Sequence, residues 1–184
     1  TGKKRLPGFT DKWVEKKLSD FGYMVRGVSY RPEQCSIVPK EKFIRLFRSN
    51  NVQNEAIVYS DYVYVYKSCI SEKQKIIKND ILICTANGSK QLVGKSALID
   101  KEGDFSFGAF MGVFRCYNRA LASFVISLLH SDAYKKQIED ILTGSAINNL
   151  NASTVESISF FVPSLLKEQQ AIATILSDMD KEIA

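Results

Sequence analysis

Three polar segments of this chain carry side chains that fit the edges and backbone of a nucleic-acid duplex. The first holds Arg45, Arg48, Asn50 and Asn51, at the end of a mixed apolar and basic run and in the turn after it. A guanidinium can grip guanine O6 and N7 bidentately, and a carboxamide can do the same to adenine N6 and N7. The second, from Ala86 to Gly94, holds Asn87, Ser89, Lys90 and Gln91, with Lys95 just beyond, and its glycines allow backbone to approach a phosphate closely. The third follows Gly144-Ser145 and holds Asn148, Asn149 and Asn151. On side-chain chemistry, Arg45, Arg48, Asn50, Asn51, Asn87 and Gln91 are candidates for base contacts. Ser89, Lys90, Lys95, Asn148 and Asn149 are candidates for phosphate contacts, which position a protein without specifying sequence. Surface loops are ordinarily polar, so these segments carry meaning only if the fold brings them to one face.

Catalytic patterns are missing. The chain has no P-loop, no dinucleotide-type glycine pattern and no HExxH. Gly144-Ser145-Ala146 lacks the second glycine of a nucleophile elbow, and the Asn-Pro-Pro-Tyr signature of methyltransferases is absent. The single histidine, His130, falls at the edge of an apolar helical face, where a capping or core role is expected. Asp178 and Asp180 fall on the polar side of the last helix. The four cysteines, Cys35, Cys69, Cys84 and Cys116, are scattered without a CxxC pair and read as free thiols of a reducing cytoplasm rather than a zinc site. No cofactor or metal is expected. A nuclease whose acidic ligands lie far apart in sequence stays an open alternative.

The composition of the 184 residues, 45% hydrophobic and 24% charged, fits an ordered globular domain. No apolar run approaches the roughly 20 residues that a bilayer requires. The net charge of +5 permits a phosphate-binding face if the cations cluster, and proves nothing alone.

The elements that must hold the three segments read as follows. Thr1 to Phe9 is a basic, Gly- and Pro-broken linker. Trp13 to Leu18 reads as one or two helical turns with Trp13, Val14 and Leu18 inward. Met24–Tyr30, Lys42–Arg48, Tyr62–Tyr66, Ile81–Thr85 and Ser96–Asp100 have strand character, with Tyr62–Tyr66 ambiguous. Phe105 to Cys116 reads as one strand that bends or approaches other backbone at Gly108 and Gly112. Helices follow over Asn118–His130 and Asp132–Leu142, then a polar loop over Ser145–Thr154 and a strand over Ser157–Val162. The last segment places Leu166 and then, at spacings of three to four along one face, Ile172, Ile175, Leu176, Met179 and Ile183 among charged residues, without glycine or proline. That stripe predicts a helix that seats against another helix or chain. The fold expected is α+β: a twisted, mostly antiparallel sheet with flanking helices and a protruding C-terminal helix.

The order of these segments resembles the target-recognition domain of type I restriction-modification specificity subunits. The opening Gly2-Lys3-Lys4-Arg5-Leu6-Pro7-Gly8-Phe9, with Trp13 and Leu18, is similar to the family's junction into its second recognition domain. Phe43-Ile44-Arg45-Leu46 through Asn50-Asn51-Val52 resembles a strand running into an R-x-x-N-V turn. Lys78-Asn79-Asp80-Ile81-Leu82-Ile83, with Gly88 and Val93-Gly94, resembles the family's GDIL passage, Asn79 standing in place of the usual glycine. Gly144 to Leu150, Ile158 to Pro163 and Glu168-Gln169-Gln170-Ala171-Ile172-Ala173, with Leu176 and Asp180, resemble the passage into the family's coiled-coil helix. The resemblance implies a linker over 1–12, a double-stranded DNA recognition domain over 13–163, and the start of a conserved coiled-coil or dimerisation helix over 164–184. It further implies a cytoplasmic partner of methyltransferase and restriction subunits that has no catalysis of its own. The second recognition domain and its helix would be supplied in cis or by a second copy. The same module in a half-size or fused enzyme, and a scaffold that binds no DNA, are the alternatives.

Overall fold

The computed structural model describes residues 5–144 and 147–183, so the expectations for Thr1 to Lys4 and for Ser145 lie outside the described residues. In chain order the strands and helices are β1 (Trp13–Lys17), β2 (Gly22–Arg26), β3 (Cys35–Ser36), β4 (Phe43–Phe47), β5 (Val52–Gln53), β6 (Ala56–Ile57), β7 (Val63–Tyr66), β8 (Ile81–Cys84), β9 (Ser96–Leu98), β10 (Phe105–Phe107) and β11 (Met111–Cys116), then α1 (Ala122–His130), α2 (Asp132–Thr143), α3 (Ala152–Ser157), β12 (Ser159–Pro163) and α4 (Leu166–Ile183). The α+β class and the mostly antiparallel pairing agree with expectation. The strands, however, divide between two four-stranded sheets, ordered β2-β11-β8-β9 and β10-β4-β7-β3, with two-stranded ribbons β1-β12 and β5-β6 beside them. Only β10 and β4 pair in parallel among the described strands.

The first four-stranded sheet is apolar on both faces, and each face has its own cover. Along β8, Ile81 and Ile83 point into a core shared with α1, α2 and α3, where Phe114 and Cys116 of β11 join Phe124, Leu129, Tyr134 and Val155. Leu82 and Cys84 point the other way, with Met111 and Val113, into a core shared with Phe47, Phe105 and Phe107 of the second sheet. A strand covered on both sides must read as an unbroken apolar run, as Ile81-Leu82-Ile83-Cys84 does. A third cluster of Val28, Ile44, Leu46, Val65 and Ile70 fills the remaining face of the second sheet.

Three expectations are corrected. Trp13 to Lys17 forms a strand, not a helical turn, because it pairs antiparallel with β12 in the register Trp13↔Pro163 to Lys17↔Ser159. A partner that far along the chain leaves no trace in local periodicity. Phe105 to Cys116 is two strands in different sheets, separated at Gly108–Phe110: β10 lies beside β4 and β11 is central in the first sheet. The expected close approach is real at this break, since a Cβ on Gly27 would stand 2.0 Å from the Gly108 carbonyl oxygen. The polar stretch before β12 also contains a short helix, α3, capped by the Asn151 side chain accepting from the Thr154 N–H at 2.8 Å.

Two buried ion pairs pin this framework. Asp80 is fully buried, and Arg115 donates to both its oxygens, Nε to Oδ1 at 3.0 Å and Nη2 to Oδ2 at 2.7 Å. The hydrogen bond to Asp80 raises the Arg115 pKa above its ordinary value. Asp80 also accepts from the Ile77 N–H at 3.0 Å, closing the turn into β8. Asn79 in that turn has φ +69°, the left-handed region that glycine and asparagine adopt most readily. The second pair joins the chain's two ends. Arg5 donates to Glu168 through Nε at 2.8 Å and Nη2 at 2.7 Å, Trp13 Nε1 adds a contact at 3.4 Å, and Glu168 is fully buried. Arg5, expected in a linker, is thus tied to the first turn of α4.

Candidate nucleic-acid interface

The three polar segments meet. Ser49 lies in the single turn of 3-10 helix after β4, and its hydroxyl accepts from Asn87 Nδ2 at 3.2 Å, joining the first segment to the second. The Asn87 N–H donates to the Asn148 carbonyl at 3.4 Å, and Asn148 Nδ2 donates to the Gly88 carbonyl at 3.3 Å. Ala86 and Asn149 form an antiparallel bridge, and the Leu150 N–H donates to the Thr85 carbonyl at 2.8 Å, joining the second segment to the third. One end of the domain is therefore a hydrogen-bonded rim of all three.

Within that rim the candidates separate into side chains that build it and side chains it presents. Asn51 builds it. It is 1% exposed, its Oδ1 accepts from the Arg48 N–H at 2.9 Å, and its Nδ2 donates to the Val58 and Ser60 carbonyls at 3.0 and 2.7 Å. A carboxamide with both ends spent on the fold has nothing left for an adenine edge, so Asn51 is withdrawn from the base-contact set. Asn87 is half-buried and similarly engaged, its Oδ1 accepting from the Ser89 N–H at 2.9 Å. It too serves as a joint between loops.

Arg48 and Asn50 are presented. They converge on Asp61, which the sequence reading did not single out. Asn50 Nδ2 donates to Asp61 Oδ2 at 2.5 Å, and Arg48 Nη2 lies 3.4 Å from the Asp61 carbonyl and 3.6 Å from its carboxylate. The Arg48 side chain is 42% exposed, with Nε buried and unpartnered among the described groups. Asp61 has φ +52°, a turn conformation whose only sequence signal was the Ser60-Asp61 pair ahead of β7. Arg45 stands apart from the rim. Its side chain is exposed on the Phe47 side of β4, 5.8 Å from the Tyr62 ring centre and 5.6 Å from that of Phe105, held by cation–π attraction.

The second segment continues into a groove of about 740 Å³ that Lys90, Gln91 and Lys95 share with Glu55, His130, Tyr134 and Lys135. Gln91, Ser89 and Lys95 are exposed, and Lys90 donates to Thr143 Oγ1 at 3.0 Å. His130 contacts the Ser96 carbonyl at 3.1 Å and Glu55 at 3.2 Å, so it lines the groove beside a carboxylate rather than joining the core. Asn149 is exposed and Asn148 half-buried. Cys84 and Cys116 are buried free thiols whose pKa burial pushes up to about 11, so neither is a ready nucleophile at neutral pH. Among the described residues no group of His, Cys, Asp and Glu is arranged to hold a metal. No described helix is long and apolar enough to cross a membrane.

The stripe of α4 divides in two. Ile172 is half-buried against the helix-side core and Ala173 is buried, so this part is spent within the domain. Leu166, Ile175, Leu176 and Met179 are 45%, 43%, 39% and 52% exposed and remain available. The Ile183 side chain lies outside the described residues.

A two-sheet α+β domain whose ends are tied together, and whose loops gather Arg, Lys and Asn at one rim, has the build of a recognition module. The chain belongs to the family described as Type I restriction modification DNA specificity domain, whose profile matches residues 10–184. Over 172 residues it is 36% identical to the Type I restriction enzyme EcoKI specificity subunit of Escherichia coli (strain K12), and 33% identical to the StySPI specificity subunit of Salmonella potsdam. Each match covers 91% of this chain and 37% of the relative. The chain thus spans well under half the length of these relatives, the extent of one target-recognition domain. The fold agrees with that of a chain from a type I R-M system assembly, at TM-score 0.67, 15% identity and coverage of 99% of this chain and 41% of that one. It also agrees with the S subunit from M. genitalium, at TM-score 0.57, 21% identity and coverage of 96% and 41%.

Proposed function

We propose that this chain reads one half of a split double-stranded DNA site, as the second recognition domain of a type I specificity subunit. The observation that carries the reading is the network through Ser49, Asn87 and Asn148, which gathers the three Arg-, Lys- and Asn-bearing segments into one rim. Arg48, Asn50 and Gln91 are the base-contact set, with Arg45 a further candidate apart from the rim. Ser89, Lys90, Lys95 and Asn149 set register on the phosphates, while the Asn148 amide, tied to the Gly88 carbonyl, holds the loops together. The exposed part of α4 continues into a helix that pairs with the corresponding helix of a first recognition domain, in cis or from a second copy. Methyltransferase and restriction subunits, docked on the assembled subunit, supply the chemistry.

Comparing adenine methylation from an intact locus with that from a locus carrying a related domain in exchange tests this reading. A split motif in which one half changes supports it; a motif unchanged in both halves leaves a scaffold without a reading role. The isolated domain should bind DNA weakly, because one half-site and a net charge of +5 give few contacts.

A further inference from the structure

The rim also carries a large apolar side chain in the open. Phe110, at the turn between β10 and β11, is 72% exposed. Its backbone is nonetheless fixed from three directions. The Gly108 N–H donates to the Phe47 carbonyl at 3.0 Å, the Met111 N–H to the Gly108 carbonyl at 2.8 Å, and the Phe110 carbonyl accepts from both the Thr85 and Ala86 N–H groups at 2.9 and 3.0 Å. Ala86 is the residue that bridges to Asn149. The ring therefore stands on the joint between the second and third segments, beside a depression of about 640 Å³ also lined by Arg26, Asn149 and Asn151.

An aromatic ring on a fixed turn loses little conformational freedom when it is covered. The buried clusters are complete without this ring. The depression beside it sets Met24, Met111 and Leu150 next to Arg26, Asn149 and Asn151, so a fitting partner offers hydrogen-bonding groups with an apolar group among them. The major groove does so at A·T pairs, where the thymine C5-methyl is the one apolar feature among donors and acceptors.

Resting on the DNA-reading proposal above, we infer that Phe110 is the apolar member of the reading set and packs against a thymine methyl of the recognised half-site. The test uses the full specificity subunit assembled with its methyltransferase subunits. Each thymine of the half-site is replaced singly by deoxyuridine, which removes the methyl and nothing else, and binding is measured by competition. One replacement should weaken the wild-type complex about three- to fivefold, the transfer value of one buried methyl. Phe110→Ala should bind the matched duplex more weakly and be indifferent to that same replacement. The inference is overturned if Phe110→Ala responds to every deoxyuridine as the wild type does, if no replacement matters to the wild type, or if Phe110→Ala loses subunit assembly instead of DNA affinity. Arg48→Ala is measured in parallel. If it discriminates matched from mismatched half-sites less well while Phe110→Ala behaves as wild type, the reading proposal stands and this inference alone fails. If neither variant alters discrimination and domain exchange alters neither half, the reading proposal has failed.

Discussion

Removing Arg5 should destabilise the domain by far more than its place near the start of the chain suggests. Its partner Glu168 is fully buried, while the Arg5 side chain is 22% exposed. Losing one member of a buried ion pair costs about 3–5 kcal/mol because the other is left charged and out of water. The partial exposure of Arg5 admits some solvent, and the Trp13 indole and the nearby N-terminus of α4 still face the carboxylate. The expected loss for Arg5→Ala is therefore about 2–3 kcal/mol, or roughly 5–10 °C in Tm for a domain of this size. Glu168→Gln should cost less, about 1–2 kcal/mol, since the freed guanidinium can turn toward water while the amide keeps an acceptor for Trp13. In the double variant Arg5→Ala/Glu168→Gln no charge is stranded, so its loss should fall short of the sum of the single losses by at least about 1 kcal/mol. Urea denaturation of the four proteins, followed by tryptophan fluorescence and far-UV circular dichroism, gives the cycle. Trp13 is the sole tryptophan and reports on the junction directly. A loss under about 0.5 kcal/mol for Arg5→Ala, with additive singles, would place this contact among ordinary surface pairs and refute the clamp.

Other consequences follow from the same geometry. Asp80→Asn should lower stability by about 3 kcal/mol, because Arg115 then loses its buried counter-charge; an unchanged midpoint in urea would contradict this. Asn79→Gly should leave stability within about 0.5 kcal/mol, while Asn79→Val, forced to φ +69°, should cost about 1–2 kcal/mol. Equal effects would mean that the turn relaxes. In the assembled complex, Arg48→Ala should lower discrimination at one base pair by about 1–3 kcal/mol. Lys95→Ala should weaken all duplexes alike and reduce the salt slope by about 1. Competition against single-mismatch duplexes at several salt concentrations separates the two, and equal loss on matched and mismatched DNA would remove Arg48 from the reading set. Thiol labelling near pH 8 should reach Cys35 and Cys69, which are half-buried, well before Cys84 and Cys116. Between pH 9 and about 11 the two buried thiols stay protonated in the folded state while the unfolded chain ionises, so stability should fall as pH rises through that window.

What was legible in the sequence divides along physical lines. The run Ile81-Leu82-Ile83-Cys84 and the helical spacing of Leu121, Phe124, Val125, Leu128 and Leu129 are local patterns, and both elements are found where the patterns put them. The local pattern of Trp13–Lys17 suggests a helical turn, but its strand conformation is imposed by β12, far along the chain. The break at Gly108–Phe110 looks like a bend in the sequence because local spacing cannot report that β10 and β11 join different sheets. The convergence of the three polar segments carries no local signal and is visible only in the fold. Asn50 and Asn51 adjoin in sequence and are alike in type, yet the turn buries one and presents the other. Which of two neighbouring amides faces outward depends on partners at Val58 and Ser60 that spacing alone does not reveal.

That separation bears on how such a module can change its target. The side chains that fix the rim, Asn51, Asn87 and the Asn148 amide, act on backbone groups or on one another's loops. Those that project, Arg48, Asn50, Gln91, Lys95 and Phe110, contribute nothing to the three cores. Exchanging a projecting residue alters the chemistry offered to a groove without loss of core packing, whereas exchanging Asn51 strands three hydrogen-bonding groups and should loosen the whole first segment. Swapping Arg48 or Gln91 among Arg, Asn and Gln should therefore yield folded proteins with altered base preference, and Asn51→Ala a protein that loses affinity and stability together. If Asn51→Ala instead shifts preference at one base pair with its midpoint in urea unchanged, the buried amide is a reader after all, and the division between building and presenting side chains is wrong.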